Sequence, residues 1–194
     1  MSHMNSLFEE LTFTGKDFKN HPLEAGDYEL CVFIECDFSN VNLSKFQFIE
    51  CEFFQCNLSS CKVVQTGFQE VKFDDCKMIG INFEQCKDFG FSISTSGCQL
   101  DHSMFFKKKL ARTQFIQTRL REVDFTESNL HEAVFDQCDL TDAVFEHTDL
   151  RNTDFRGSHG FVIDPESNTM KGAKFSLSSV TGLLAKYGLD IEQN

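Results

Sequence analysis

Apolar residues recur at every fifth position of this chain, and this period is the strongest constraint on its fold. From Phe8 to Phe83, all sixteen such positions are apolar. From Leu100 to Phe155, all twelve are Leu or Phe in strict alternation. Only 41% of the residues are hydrophobic, so chance does not produce this pattern. A five-residue period matches neither an α-helix (about 3.6) nor a flat strand (about 2), so the backbone must turn a corner every five residues.

The repeat also has a consistent chemistry, because an Asp or Asn often precedes the central Leu or Phe. Four close examples are Ser128-Asn129-Leu130, Cys138-Asp139-Leu140, Thr148-Asp149-Leu150 and Thr153-Asp154-Phe155. Over about residues 26–155 the pattern resembles the pentapeptide-repeat family. The resemblance implies an all-β fold, a right-handed quadrilateral β-helix with four pentapeptides per coil. It also implies that the central residue and the residue two before it point inward.

The nine cysteines invite a metal or disulfide interpretation, but their placement favours a structural role. Each lies two residues before a five-residue repeat position, at the second inward site, where Cys acts as a small buried hydrophobe. Neighbouring thiols lie on different sides of the coil, so we expect no metal and no cofactor. The odd count and the lack of a signal peptide fit a reducing, cytoplasmic location. The cysteines are Cys31, Cys36, Cys51, Cys56, Cys61, Cys76, Cys86, Cys98 and Cys138.

The acidic residues between Glu122 and Asp154 are expected on the outer surface of the coil. In a coil of four pentapeptides, each residue stacks on the residue that occupies the same position in the next coil. Ten acids between Glu122 and Asp154 avoid the inward sites, and Arg151 is the only base in that window. Two interpretations stay open: a continuous anionic surface that a DNA-binding groove could accept, or the family's preference for Asp before the central residue. The ten acids are Glu122, Asp124, Glu127, Glu132, Asp136, Asp139, Asp142, Glu146, Asp149 and Asp154.

The five-residue period fails once, between Phe83 and Leu100. The distance between them in the sequence is three pentapeptides plus two residues. The sequence therefore predicts an irregular loop at about residues 84–99. Either it is a tolerated insertion, or it is an exposed loop that offers Phe89, Phe91 and Ile93 to a partner. Lys108 follows at an inward site, where a buried unpaired ammonium is costly. We expect the chain to deviate there or the ammonium to reach solvent.

The predicted domain organisation is a β-helix over residues 5–160 and a C-terminal cap with a dimerisation segment over residues 161–194. Met1-Ser2-His3-Met4 has the appearance of a tag remnant. In the cap, apolar residues at helical spacing predict a short helix over about residues 177–187 that ends at Gly188. The expected dimer interface consists of Leu177, Val180, Leu183, Leu184, Tyr187, Leu189 and Ile191.

Composition and motifs argue against several classes of function. The net charge of −12 and the pI of about 4.8 disfavour direct nucleic-acid binding. No apolar segment approaches the ~18 residues that a membrane span needs. The core is filled by Phe and Leu, and no nucleophile motif, phosphate-binding Gly loop or zinc pattern is present. We therefore expect a binding protein rather than an enzyme.

Within the family, the Leu-rich tail followed by Gly and an apolar segment resembles the Qnr-type quinolone-resistance and microcin-immunity proteins. The resemblance implies a homodimer through the C-terminus and a DNA-mimicking role. The implied partners are DNA gyrase and, by extension, topoisomerase IV, which the protein would protect from quinolones or a peptide toxin, or inhibit. The alternative is a generic interaction or structural repeat module without a topoisomerase target.

Overall fold

The structure is a computed structural model, and it describes residues 6–192. Its elements are short parallel strands that join into two sheets, with three short 3₁₀ helices at Phe83–Gln85, Val180–Leu183 and Ala185–Tyr187. This is the all-β solenoid that the five-residue period predicts. The strands are β1 (Ser6–Glu9), β2 (Thr12–Thr14), β3 (Gly26–Glu29), β4 (Val32–Ile34), β5 (Gln47–Ile49), β6 (Glu52–Phe54), β7 (Gly67–Gln69), β8 (Val71–Asp74), β9 (Ile93–Ser96), β10 (Gln114–Ile116) and β11 (Val134–Asp136).

Each coil has four sides, which we name after the central residues of one coil: the Leu120, Phe125, Leu130 and Phe135 sides. The four-stranded sheet β1-β3-β5-β7 forms the first half of the Leu130 side. The seven-stranded sheet β2-β4-β6-β8-β9-β10-β11 forms the Phe135 side. Isolated parallel bridges connect successive coils on the other two sides. The sides differ in regularity, but all four are held by hydrogen bonds from one coil to the next.

Successive coils keep the register of four pentapeptides almost everywhere, as the sequence predicts. Strand β4 pairs with β6 through Phe33 and Phe53, and β10 pairs with β11 through Phe115 and Phe135. Between β8 and β9 the register is two positions longer, because Val71 pairs with Ile93. The chain thus gains two residues once and then returns to the same period.

Every regular corner is turned by the residue two places after the central residue, which adopts a left-handed conformation. Twenty-two residues other than Gly have positive φ in the described chain, and all occupy this position. Left-handed backbone costs about 1–2 kcal/mol for an ordinary L-residue, less for Asn or Asp. The coil-to-coil hydrogen bonds must therefore offset a conformational cost that recurs at each corner.

The core consists of stacked side chains, as the coil period predicts. Phe115, Phe135 and Phe155 form one column with ring centroids 4.9 and 5.0 Å apart. Rings on adjacent sides meet edge to face, as Phe125 and Phe135 do at 5.8 Å. Both arrangements suit the quadrupole of an aromatic ring, and each buried Phe contributes about 1.5–3 kcal/mol of transfer free energy.

All nine cysteines are buried and free, in agreement with their predicted inward site. One column of thiols forms a ladder: the N–H groups of Cys36, Cys56 and Cys76 each donate to the sulfur of the cysteine one coil further on, at 3.4 Å. Burial raises the pKa of the Cys51 and Cys61 thiols to about 12, so both stay neutral. These cysteines fill space and accept hydrogen bonds.

The solenoid extends further than predicted. Asp149 pairs with Thr169 and Asp154 with Lys174, both in the regular register, and the Phe175 ring stacks on Phe155 at 5.2 Å. The predicted boundary at residue 160 is therefore too early. Gly160, with φ of 81°, bends the chain without ending the repeat. The predicted tag remnant at residues 1–4 lies outside the described residues.

The corner conformation leads to a stability prediction at Leu30, which has φ of 53° and a side chain 46% exposed. We expect Leu30→Asn to raise the free energy of unfolding by about 0.5–1 kcal/mol, because Asn tolerates left-handed backbone. Thermal unfolding should then shift upward by about 1–4 °C. Val64→Asn is the matched control, since Val64 is comparably exposed but has no positive φ. A control that gained as much stability would contradict the argument.

Candidate functional site

Three surfaces depart from the plain repeat: a group of acids on the Phe125 side, a bulge after Cys86, and the C-terminal end of the solenoid. Within residues 6–192, no His, Cys, Asp or Glu side chains are grouped so that they could hold a metal ion. No helix in the same range has the length and apolar character needed to cross a membrane. We therefore consider these surfaces as candidate sites of contact with other molecules.

None of the ten predicted acids is buried, but they divide into two groups by their role in the coil. Asp124, Asp139, Asp149 and Asp154 precede central residues, and one carboxylate oxygen of each accepts the N–H of the residue two places on, at 2.8–3.2 Å. These four carboxylates brace the repeat. The interpretation that they follow the family pattern thus has a physical basis.

Bases from neighbouring coils pair with several of the ten acids. Arg112 lies 2.7 Å from Glu132, and Arg121 lies 2.6 Å from Asp139. Lys107 lies 3.4 Å from Glu127. These three bases precede the 122–154 window in the sequence, and the coil stacks them onto acids about one turn later. Stacking thus brings bases from the previous coil to acids of the 122–154 window, where Arg151 is the only base in the sequence.

Two further pairs form within single pentapeptides and fix the carboxylates in their charged state. A hydrogen bond from Arg151 lowers the pKa of Asp149, and a hydrogen bond from Arg156 lowers the pKa of Asp154. Four of the ten acids have no ion pair in the described part of the chain. These are Asp124, Asp136, Asp142 and Glu146.

Three of the four acids without an ion pair in the described chain, Asp124, Asp142 and Glu146, lie on the Phe125 side or at its corner. We call the carboxylates there the anionic face; it consists of Glu122, Asp124, Glu127, Asp142 and Glu146. Asp124 bridges to Val144, so the acids lie on two consecutive coils. Neither 122–127 nor 142–147 contains Lys or Arg. Lys107 lies near Glu127, Arg121 next to Glu122 pairs with Asp139, and the His102 ring lies 3.3 Å from Glu122. This is the part of the acidic band that stays anionic.

The two extra residues form a bulge at residues 88–90 on the Leu130 side. Asp88 occupies the expected central position in sequence, but Phe91 takes its place in the core, with the rings of Phe83 and Phe91 6.1 Å apart. Phe89 is 86% exposed, and Gly90 has φ of 70°. The chain rejoins the Phe135 side at β9.

The predicted partner loop is thus smaller than expected. Phe91 and Ile93 are buried at 8% and 4% exposure, so the expectation that both face a partner is wrong. Ile93 begins β9 and takes the inward site of that pentapeptide. Only Phe89 of the three is presented to solvent. The signal in the sequence was a spacing that is not a multiple of five, which revealed the insertion but not the residue that fills the core.

Lys108 remains buried at its inward site, against the expectation that its ammonium reaches solvent. Its side chain is 2% exposed, and its Nζ lies 2.7 Å from Oδ1 of Asp88. The chain deviates one coil earlier than predicted, at the bulge, and this deviation brings Asp88 to the ammonium. The buried charge is therefore paired, as such groups require.

The C-terminal segment covers the end of the last coil, but it is not the predicted helix over 177–187. It forms the two 3₁₀ helices Val180–Leu183 and Ala185–Tyr187 instead. Gly182 lies so close to Phe161 that a Cβ would overlap its carbonyl oxygen, and the carbonyl of Gly182 accepts the N–H of Ile163 at 3.2 Å. These contacts with the last coil replace a regular helix. Gly188 ends the segment, as predicted, and it adopts a left-handed conformation.

Most of the predicted interface residues lie on the outer surface of this cap. Leu183 is the exception, because it packs against the core. Leu177 is 90% exposed, and a groove is lined by Leu177, Val180, Leu184 and Ile191. Tyr187 and Leu189 are also more than half exposed. Lys186 fixes the segment through Asp164 and Glu166, at 2.6 and 2.7 Å.

The fold is similar to that of known solved structures. A trypsin-treated form of QnrB1, a plasmid-mediated fluoroquinolone resistance protein, matches with a TM-score of 0.63 and 16% identity, over 96% of this chain and 100% of that one. A second form matches with a TM-score of 0.62 and 19% identity, over 98% and 92%. HetL, a pentapeptide repeat protein involved in heterocyst differentiation regulation in the cyanobacterium Nostoc, matches with a TM-score of 0.50 and 14% identity, over 91% and 89%.

Sequence comparison points to the same repeat. No curated protein sequence matches this chain. A family model described as pentapeptide repeats, with eight copies, matches residues 118–157. A second, described as a pentapeptide repeat region, matches residues 27–93. Together the two models cover more than half of the sequence, and the structure continues the same coil between and beyond them. The chain belongs to the pentapeptide-repeat family.

Proposed function

We propose that this protein acts as a mimic of duplex DNA toward a type II topoisomerase, namely DNA gyrase and, by extension, topoisomerase IV. The observation that carries the proposal is the anionic face. Within it, Glu122 and Asp142 stack one coil apart, and the coil spacing of about 4.8 Å is of the same order as the ~3.4 Å rise of phosphates along one DNA strand. A groove that neutralises phosphates with Lys and Arg could accept these carboxylates in the same way.

The likeness to QnrB1, a fluoroquinolone resistance protein, concerns the fold alone at this level of identity, and the choice of enzyme rests on the resemblance of the sequence to the Qnr-type proteins. By binding in place of DNA, the protein would protect the topoisomerase from quinolones or a peptide toxin, or inhibit it. The exposed Phe89 adds an apolar contact close to the basic Lys87, two residues earlier in the sequence. Binding in this proposal needs no catalytic group, cofactor or membrane, and the partner is a cytoplasmic enzyme.

The proposed assembly is a homodimer through the C-terminal cap. Leu177, Leu184 and Ile191 line an apolar groove on its outer surface, and a second copy would cover this surface. The anionic faces of both protomers lie within a few coils of that end. Dimerisation would therefore join two anionic faces into a longer one.

A generic interaction module is the second candidate, and one observation favours it. Four of the ten acids brace the coil through backbone hydrogen bonds, and half are paired with Lys or Arg. Such acids are explained by the repeat alone. The two candidates differ in what they predict for the unpaired acids of the anionic face.

The test of the topoisomerase proposal is a gyrase supercoiling assay with purified protein, with and without ciprofloxacin. We expect the wild type to inhibit supercoiling or to rescue it from the drug. The triple variant Glu122→Gln, Asp142→Asn, Glu146→Gln should need about 10-fold more protein for the same effect, since three charges of the anionic face are lost. Its binding to gyrase should also depend less steeply on salt.

The matched control for this assay removes the same charge at the other end of the solenoid, through Glu10→Gln, Glu35→Gln and Glu50→Gln. These residues lie at left-handed corners and are exposed. We expect the control to behave as the wild type. No effect of the wild type on supercoiling over a wide concentration range would reject the topoisomerase proposal and leave the generic module.

The dimer is tested by the Leu184→Asp variant on a sizing column coupled to light scattering. We expect the wild type to elute as a dimer and the variant as a monomer, because a carboxylate in the apolar groove is costly to bury. Val64→Asp, which places the same charge at an exposed site in the middle of the solenoid, should stay dimeric. An unchanged mass for Leu184→Asp would rule out this interface.

A further inference from the structure

Lys108 places a buried ammonium at a site that holds small side chains in the two coils before it and the two coils after it. The stacked residues before and after it are Thr66, Cys86, Ser128 and Thr148, all of them buried. Nζ of Lys108 donates to the carbonyl oxygen of Cys86 at 2.7 Å, and its ion pair with Asp88 has the same length. It also lies 5.1 Å from the centre of the Phe91 ring. Every one of these contacts is made with the bulge or with the residues that flank it.

The carbonyl of Cys86 shows what the ammonium replaces. At the equivalent position of other coils, this carbonyl accepts a backbone N–H from the following coil. Lys87 donates to Thr66 at 2.9 Å, Asn129 to Lys108 at 2.9 Å and Asp149 to Ser128 at 3.0 Å. Among the described residues, no bridge joins Lys87 to Lys109 at the bulge. There the carbonyl of Cys86 accepts a hydrogen bond from the ammonium of Lys108 instead.

We propose that Lys108 is a positioning residue that holds the bulge in one conformation. Its ammonium stands in for the interrupted backbone donor and fixes the carboxylate of Asp88 on the outside of the coil. Asp88 thereby leaves the central position to Phe91, and Phe89 is directed into solvent. The two-residue insertion and Lys108 thus form a matched pair. The insertion supplies Asp88 as the partner of the buried ammonium, and the ammonium supplies the hydrogen bond that the carbonyl of Cys86 would otherwise lack.

The consequence for binding rests on the proposed function. A fixed aromatic side chain loses little conformational entropy when it enters a pocket of a partner. Lys87 precedes Phe89 by two residues, and the Asp88 carboxylate between them is paired with Lys108, so the partner surface that fits the bulge is an apolar pocket with a carboxylate at its rim. This contact differs in chemistry from the anionic face, which needs a basic groove.

The matched pair is tested by restoring the regular coil. Residues 88–92 are replaced by Phe-Gln-Glu, the residues that stand at 68–70 one coil earlier. With Lys108 retained, we expect the melting temperature to fall by about 5 °C or more, because the ammonium loses Asp88. Adding Lys108→Ser should bring it back to within about 2 °C of the wild type. Equal stability of the two shortened proteins would overturn the proposal.

The positioning role is tested in the full chain by hydrogen exchange of Lys108→Met. The amides of residues 88–91 should exchange about 10-fold faster or more, while those of β10 and β11 change less. Lys107→Met is the control, since the Lys107 ammonium is exposed. Uniform acceleration along the chain, or no change at the bulge, would mean that Lys108 only contributes to global stability.

Binding to purified gyrase then separates this inference from the proposed function. If the wild type binds, Phe89→Ala and Lys108→Met should each weaken binding by about 10-fold, with the salt dependence unchanged. Leu30→Ala is the control at an exposed apolar residue away from the bulge. Normal binding by Phe89→Ala would reject the pocket contact alone. Failure of the wild type to bind would reject the topoisomerase proposal, while the exchange and melting results would still decide the role of Lys108.

Discussion

The structure depends on backbone hydrogen bonds that join each residue to its counterpart one coil away. These bonds fix the register between coils, and the register decides which side chains meet: Phe135 lies on Phe115, and Arg112 lies beside Glu132. They also offset the left-handed conformation at each corner, which side-chain chemistry alone would not favour. Because neighbouring coils contact only each other, a local change is confined to its own coils and the next.

The bulge after Cys86 shows how such a fold accepts an exception. Two extra residues interrupt the Leu130 side, yet the Phe135 side continues through β8 and β9 in a register that is two positions longer. The interrupted side is completed by side-chain chemistry, since Lys108 contacts both the carbonyl of Cys86 and Asp88. In a regular coil the buried ammonium of Lys108 would lack a partner, and here the bulge supplies Asp88. The exposed Phe89 results from this arrangement.

The acidic surface contains two kinds of carboxylate. Some are bound by backbone N–H groups or by Arg within the protein, and the others have no ion pair in the part that the structure describes and are available to bind a basic partner. Asp149 is engaged by both a backbone N–H and Arg151, so its charge is largely satisfied within the protein. Asp142 and Glu146 lie close to it in the solenoid without an ion pair in the described residues. The division explains how a strongly acidic repeat can be mostly scaffold and still concentrate charge on one face.

By itself, the sequence determined the solenoid, its stacked columns, the buried state of the nine cysteines and the position of the irregularity. A period of five is strict, and together with the two inward sites that the family resemblance implies it assigns each residue to the inside or the outside. Tertiary structure decided what that period does not encode. It placed Phe91 in the core instead of Asp88, paired Lys107 with Glu127 across coils, and turned the expected helix after Leu177 into 3₁₀ turns by contact of Gly182 with Phe161. The ion pair joins two coils, the Gly182 contact joins the cap to the last coil, and the place of Phe91 follows from an insertion that occurs once. A repeat pattern describes what neighbouring pentapeptides share, so it cannot specify a contact that occurs once.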